Sequence, residues 1–398
     1  MDNDTQAFQN WDDFNMIKKD ILRGLYAHGF DKPSPIQQKA IGPMTNTREM
    51  TIGDKKVVRR PDIIAQAQSG TGKTGCFVVS ALSIVDETMD KTQVIIVAHT
   101  HELASQILTV INSISSFTKI RTQLLVGGVP VENDKRALDE NVPHIIVGTP
   151  GRLHDMIRRK YVITSSVGLI VLDEADEMLA EGFKEQIYKI FQFMPNMIQI
   201  ALFSATMPPE LEVLTRSFME NPISILVKAE ALTLQGIAQW LIRIDNDEQK
   251  YLTLKDIYSG LTFSQTIIYC NSTKRVDDLH EAMVADGFSA GKIHGKMEET
   301  ERKGVNKDFR SGKVRVLVTS DLFARGIDVQ QVSTVINFDM PKSEHTYIHR
   351  IGRSGRFGRK GVAINFTTKH DSGKIKRFEE YYSTQITEMP VDWKTRIN

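Results

Sequence analysis

Two short stretches, a hundred residues apart, carry chemistry that neither could complete alone. The first reads Gln66-Ala67-Gln68-Ser69-Gly70-Thr71-Gly72-Lys73-Thr74. Its glycines let backbone N–H groups close on phosphate oxygens, Lys73 supplies a positive charge, and the Thr74 hydroxyl can reach a magnesium ion. A helix expected from residue 75 to about 85 would aim its positive dipole end at the same anion. The second stretch is an apolar strand, Gly168-Leu169-Ile170-Val171-Leu172, running into Asp173-Glu174-Ala175-Asp176. Asp173 can hold the magnesium, and Glu174 can orient or deprotonate a water for attack on a γ-phosphate. Ala67 stands where the general phosphate-loop pattern has glycine. Either stretch by itself also fits a plain turn or a solvated loop. Both together, in this order and each after a β-branched strand, predict nucleotide hydrolysis.

The elements that must position these residues follow from the apolar periodicity. Short β-branched runs at 62–66, 93–98, 122–126, 144–147, 169–173 and 198–203 read as buried strands. Amphipathic stretches such as 102–117 and 184–193 lie between them. Strand and helix in alternation imply a parallel sheet with helices on both faces, and ligands then bind at the carboxyl ends of the strands. The alternation resumes after about 236, with strands expected at 266–270, 289–294, 314–319, 332–338 and 361–366. The second half has no phosphate loop. A linker is expected at about 226–236.

A length of 398 residues fits two to three domains, and 41% hydrophobic with 25% charged residues is ordinary globular composition. No apolar run approaches the roughly 20 residues a membrane helix needs, so no membrane association is expected. The acidic start Met1-Asp2-Asn3-Asp4 has no apolar core and does not read as a secretory signal. Cys76 and Cys270 sit in apolar segments and read as buried thiols in a reducing, intracellular compartment. The net charge of +1 divides into −3 over residues 1–228 and +4 over 229–398. A broad electrostatic attraction to nucleic acid is thereby excluded, leaving only local contacts. Within 342–377 the basic excess is sharper, and glycines punctuate its arginines.

Further ordered motifs complete the pattern. They are Gly29-Phe30-Asp31-Lys32-Pro33-Ser34-Pro35-Ile36-Gln37, Ser204-Ala205-Thr206, Ala324-Arg325-Gly326-Ile327-Asp328 and His349-Arg350-Ile351-Gly352-Arg353-Ser354-Gly355-Arg356. With the phosphate loop and Asp173–Asp176, the chain resembles a DEAD-box RNA helicase over about residues 11 to 391. Within that family it is most similar to the branch of eukaryotic translation initiation factor 4A and its exon-junction sibling. The resemblance implies an α/β chain of two tandem RecA-like domains, 1–228 and 229–398, using ATP and Mg2+.

The resemblance also distributes roles. Trp11 (or Phe14) would stack on the adenine, with Lys32 and Gln37 beside it, Gln37 selecting ATP over GTP through its amide. Ala67, Gln68, Ser69, Gly70, Thr71, Gly72, Lys73 and Thr74 would hold the phosphates, Thr74 and Asp173 the metal, and Asp328 the ribose. Arg353 and Arg356, three apart on one helical face, would reach the γ-phosphate from the second domain, with Phe357 adjacent. Catalysis would then rest on Lys73, Thr74, Asp173, Glu174, Arg353 and Arg356, and would require domain closure. Asp176, Ser204, Thr206 and His349 would couple the domains. Sequence-independent RNA contacts are implied at Thr100, Gly127, Gly128, Thr149, Arg152, Arg302 and Thr319. Protein scaffold partners of the initiation factor 4A type, a monomer and a cytoplasmic place follow from the same resemblance, a nuclear role being the alternative. The function implied is ATP-driven separation of short RNA duplexes or remodelling of RNA–protein complexes in translation initiation. The competing class is an ATP-gated RNA clamp in nuclear mRNA processing, with hydrolysis suppressed by partners.

The chain departs from the family at several points. The family's Pro-Thr-Arg-Glu-Leu is His99-Thr100-His101-Glu102-Leu103 here, and neutral histidine is a weaker phosphate partner than arginine. Lys296 replaces an aspartate, Glu299 replaces a glutamine, and 42–61 is extra sequence carrying Arg48, Lys55, Lys56, Arg59 and Arg60. The C-terminal residues 391–398 are also unlike the family's usual end.

Overall fold

The computed structural model describes residues 8–52, 54–67, 70–180, 182–226, 236–260, 265–321, 332–354 and 361–394. The chain falls into two compact units, 1–227 and 228–398.

In the first unit, the helices α1 (Lys19–His28) and α2 (Pro35–Thr45) precede an antiparallel hairpin, β1 (Arg48–Ile52) with β2 (Lys55–Arg59). The chain then alternates: β3 (Ile63–Gln66), α3 (Lys73–Ile84), β4 (Val94–Val97), α4 (His101–Ile114), β5 (Thr122–Leu125) and α5 (Val131–Glu140). It continues with β6 (Ile145–Gly148), α6 (Pro150–Arg158), β7 (Leu169–Asp173), α7 (Ala175–Ala180), α8 (Lys184–Gln192), β8 (Gln199–Ser204), α9 (Pro209–Phe218) and β9 (Ile223–Leu226). The sheet order is β5-β6-β4-β7-β8-β3-β9, and every pairing is parallel.

Side-chain alternation explains why both faces are covered. On β4, Val94 and Ile96 enter a core with Ile21, Leu25, Ile36, Phe77 and Ile107 from α1 to α4. Ile95 and Val97 face the opposite way and meet Leu153, Met156, Ile187 and Leu211 from α6, α8 and α9. Each such buried aliphatic contributes about 1.5–3 kcal/mol relative to exposure. Gly24 of α1 lies where a Cβ would stand 1.8 Å from the Ile114 carbonyl oxygen, so only glycine lets α1 seat against the end of α4.

The second unit repeats the plan. Its elements are β10 (Ile237–Arg243), α10 (Asp247–Gly260), β11 (Gln265–Cys270), α11 (Thr273–Ala285), β12 (Ala290–Ile293), α12 (Glu299–Arg310) and β13 (Val316–Ser320). They continue as β14 (Val332–Asn337), α13 (Glu344–Ile351), β15 (Gly361–Thr367), α14 (Ser372–Tyr382) and β16 (Thr387–Glu388). The order β12-β13-β11-β14-β15-β10-β16 is again wholly parallel. Ile268, Val318 and Ile336 fill one face, and Ile267, Leu317 and Val335 the other. Cys76 and Cys270 are buried free thiols, and burial pushes both above the ordinary thiol range.

The eleven expected strands all form, their ends shifted by a residue or two. Four features differ from expectation. β9, β10 and β16 extend the sheets, and the extra basic sequence at 42–61, for which no element was expected, contains the hairpin. The expected linker lies almost wholly outside the described residues. No described helix is long and apolar enough to cross a membrane.

Candidate active site

The phosphate loop leaves β3 and enters α3 at Lys73, with Gly72 as N-cap in a left-handed conformation (φ 97°) that glycine adopts without strain. A Cβ on Gly72 would stand 2.5 Å from Ser34 Oγ and 2.9 Å from Gln37 Nε2, and one on Gly75 would stand 2.6 Å from Gln37 Nε2. The glycines therefore serve close packing of the loop against the start of α2 as well as turn geometry. Gln37 is buried at that contact: its Oε1 accepts from Ser34 N (2.6 Å), and its Nε2 donates to the Gly72 carbonyl (3.0 Å). Lys73 is 6% exposed and donates to the Ala67 carbonyl at 2.8 Å. Gln68 and Ser69 lie outside the described residues.

The sheet order explains how the acidic stretch meets this loop. β8 pairs with both β3 and β7, so the carboxyl ends of all three converge. Asp173 ends β7 almost fully buried, and it accepts from Glu174 N at 3.0 Å. Burial pushes its carboxyl up to about 7; Lys73 opposes the shift, while Glu174 and Asp176 add to it. A carboxyl in that condition gains by a cation beside it, which fits a metal bound there with Thr74. Glu174 has φ 52°, a left-handed conformation that costs a side chain energy. Asp176 Oδ2 accepts from Thr206 Oγ1 (2.6 Å) and Thr206 N (3.1 Å), and Ser204 Oγ donates to the Thr206 carbonyl (2.5 Å). The acidic stretch and the Ser204–Thr206 turn thus form one buried hydrogen-bonded unit. His99, which sequence reasoning left without a role, places Nδ1 3.7 Å from Glu174 Oε2. No sequence signal points to that pairing, because it depends on which strands are neighbours.

Three expectations are corrected here. Trp11 and Phe14 are 0% and 1% exposed, the Trp11 ring packing on Phe14 and Phe30, so neither presents a face to a base. Their position follows from core packing of the N-terminal segment against α1 and α2. Arg353 is not on a helical face: α13 stops at Ile351, Gly352 caps it, and Arg353 sits in the following turn with its backbone N–H on the Arg350 carbonyl. Arg353 is 4% exposed, and its Nε donates to the His349 carbonyl at 3.2 Å. Thr319 is fully buried between β11 and β12, its hydroxyl donating to the Ile293 carbonyl at 2.8 Å, which leaves the side chain out of reach of a phosphate. Asp328, Arg356 and Phe357 lie outside the described residues.

The RNA candidates of the first unit cluster at the carboxyl ends of β4, β5 and β6. Thr100 caps α4 by accepting from Leu103 N, Thr149 precedes α6, and Gly128 is exposed with φ 82°. His101 is half-buried with its ring against Gly127. Arg152 is tied to Asp134 and the Val129 carbonyl, so its guanidinium is already engaged within the unit. Arg302 is half-buried on α12, Lys32 lies on the exposed entry to α2, and His349 is buried in α13.

Comparison with known proteins agrees with this arrangement. Residues 34–214 match the family model described as DEAD/DEAH box helicase, and 249–358 match the helicase conserved C-terminal domain. An ATP-dependent RNA helicase eIF4A of Chaetomium globosum is 48% identical over 387 residues, covering 97% of this chain and 94% of that protein. Eukaryotic initiation factor 4A of Caenorhabditis elegans is also 48% identical, over 97% of this chain and 92% of that protein. Among solved structures, S. cerevisiae Dbp5 bound to RNA and ADP BeF3 superposes with a TM-score of 0.87 at 33% identity, over 98% of this chain and 97% of that one.

Proposed function

The chain belongs to the DEAD/DEAH box helicase family, in its initiation factor 4A branch, and on that premise we propose an RNA-dependent ATPase that separates short RNA duplexes or remodels RNA–protein complexes. We place it in translation initiation, in the cytoplasm, as a monomer working with scaffold proteins of the kind its branch uses. One observation carries the ATPase reading: Lys73, Asp173, Glu174, Asp176 and Thr206 converge at the carboxyl ends of three adjacent strands. In this proposal Lys73 exchanges the Ala67 carbonyl for nucleotide phosphates, since an ammonium donating to a neutral carbonyl gains by meeting an anion. Thr74 and Asp173 would hold magnesium, which when bound would neutralise charge on the phosphates. Glu174 orients the attacking water. Asp176, two residues beyond Glu174, ties the acidic stretch to the Ser204–Thr206 turn, giving hydrolysis a mechanical link to the rest of the unit. Gly128, Thr100 and the helix start that follows the buried Thr149 supply the RNA-facing surface, with small groups and helix starts suited to a backbone that carries no sequence information.

Glu174→Gln tests the reading, because the amide keeps the shape yet cannot take a proton. It should leave ATP binding intact, abolish turnover and prolong retention of RNA in the presence of ATP. Steady-state hydrolysis equal to the unaltered protein would refute the role.

A further inference from the structure

The strand register sets two side chains together that the sequence separates by 75 positions. β4 pairs with β7 so that Val97 stands opposite Leu172. Two residues further along the chain from each, just beyond the strand ends, come His99 and Glu174, whose side chains are 0% and 8% exposed. His99 Nδ1 lies 3.7 Å from Glu174 Oε2. Glu174 is held at φ 52° on the turn into α7, and its N–H is committed to Asp173 Oδ1. The backbone of this glutamate is therefore fixed at a cost. A buried imidazole edge stands beside one of its carboxylate oxygens, where the resembled family carries a proline.

We infer that His99 is a positioning residue for Glu174, restricting its carboxylate to the orientation that addresses the attacking water. The inference rests on the ATPase reading above and adds a device specific to this chain. Partners that orient a reacting or ligating group through contact behind it typically change activity about 10- to 100-fold when removed. Such a residue alters the chemical step more than it alters binding, so its loss appears in kcat and not in KM.

The test is steady-state ATP hydrolysis by the full chain with saturating single-stranded RNA, comparing His99→Leu, His99→Gln and Glu174→Gln. His99→Leu removes the ring N–H and should lower kcat about tenfold while KM for ATP stays within about twofold. His99→Gln restores an N–H donor and should recover most of that loss. His99→Pro, which relatives tolerate at this place, is read in the same way as the leucine variant and covers the case in which leucine prevents folding. A kcat for both His99→Leu and His99→Pro equal to that of the unaltered protein, with Glu174→Gln still inactive, overturns the inference alone. Equal losses in the leucine and glutamine variants, accompanied by a rise in KM, would show a packing role and also overturn it. Full activity of Glu174→Gln would instead remove the ATPase reading on which the inference stands.

Discussion

Gln37 shows how much one residue carries at this site. Its amide oxygen caps α2, and its amide nitrogen holds the Gly72 carbonyl, so the residue read as an adenine selector also braces the phosphate loop. Gln37→Ala should therefore do two things. It should narrow the preference for ATP over GTP, because a site built to pair with adenine loses its partner. It should also weaken binding of either nucleotide about 5- to 10-fold, the value of one or so buried hydrogen bonds. Measuring kcat/KM for both nucleotides separates the effects, and equal use of GTP by the unaltered protein would dispose of the selector role. Local motifs of this kind were legible because their residues are contiguous and their partners come from the same short segment. Residues whose availability depends on distant neighbours were not. Nothing near Thr319 announces that Ile293 will accept its hydroxyl, and Arg152 reads as a free cation until α5 brings Asp134 to it. Trp11 likewise reads as a ligand platform until α1 and α2 close over it.

At the scale of elements, β-branched runs marked the central strands because both sheet faces are buried, which calls for unbroken apolar sequence. The hairpin escaped that signal. Its run Arg48-Glu49-Met50-Thr51-Ile52 is mostly polar, and only Met50 and Arg59 are buried among its described side chains, so the segment reads in sequence only as a basic insertion. The structure gives those charges other work. Lys56 pairs with Glu49 at 2.7 Å on the exposed face, whereas Arg59 is buried, with Nη2 donating to Asp62 (2.8 Å) and Nη1 to the Ile198 carbonyl (3.0 Å). Asp62 also accepts from Ile200 N and Glu220 N, so this pair roots the hairpin at the amino ends of β3 and β8. That is the end of the sheet opposite the RNA candidates. Arg59→Ala strands a buried carboxylate and should destabilise the first unit by about 3 kcal/mol or more. Lys56→Ala should change stability by less than about 0.5 kcal/mol, as expected for an exposed pair. Chemical denaturation of both variants checks the contrast, and equal midpoints would show that Arg59 does not anchor the hairpin.

At the scale of the whole molecule, the phosphate loop and the acidic stretch belong to one unit and Arg353 to the other. The family resemblance has Arg353 act only in the reacting state, which would take it off the His349 carbonyl to which it donates here. Arg353→Ala should accordingly lower turnover by about 10³-fold while leaving ATP affinity nearly unchanged. Equilibrium binding of a non-hydrolysable ATP analogue, set beside kcat, distinguishes this from a general loss of the site. Comparable losses in both would place Arg353 in ground-state binding instead. The proposed function requires RNA to drive the hydrolytic state, which steady-state ATP hydrolysis with and without single-stranded RNA tests. Hydrolysis should be slow alone, and kcat should rise at least about tenfold as RNA saturates, a rise abolished in Glu174→Gln. A rate that RNA leaves unchanged would contradict it.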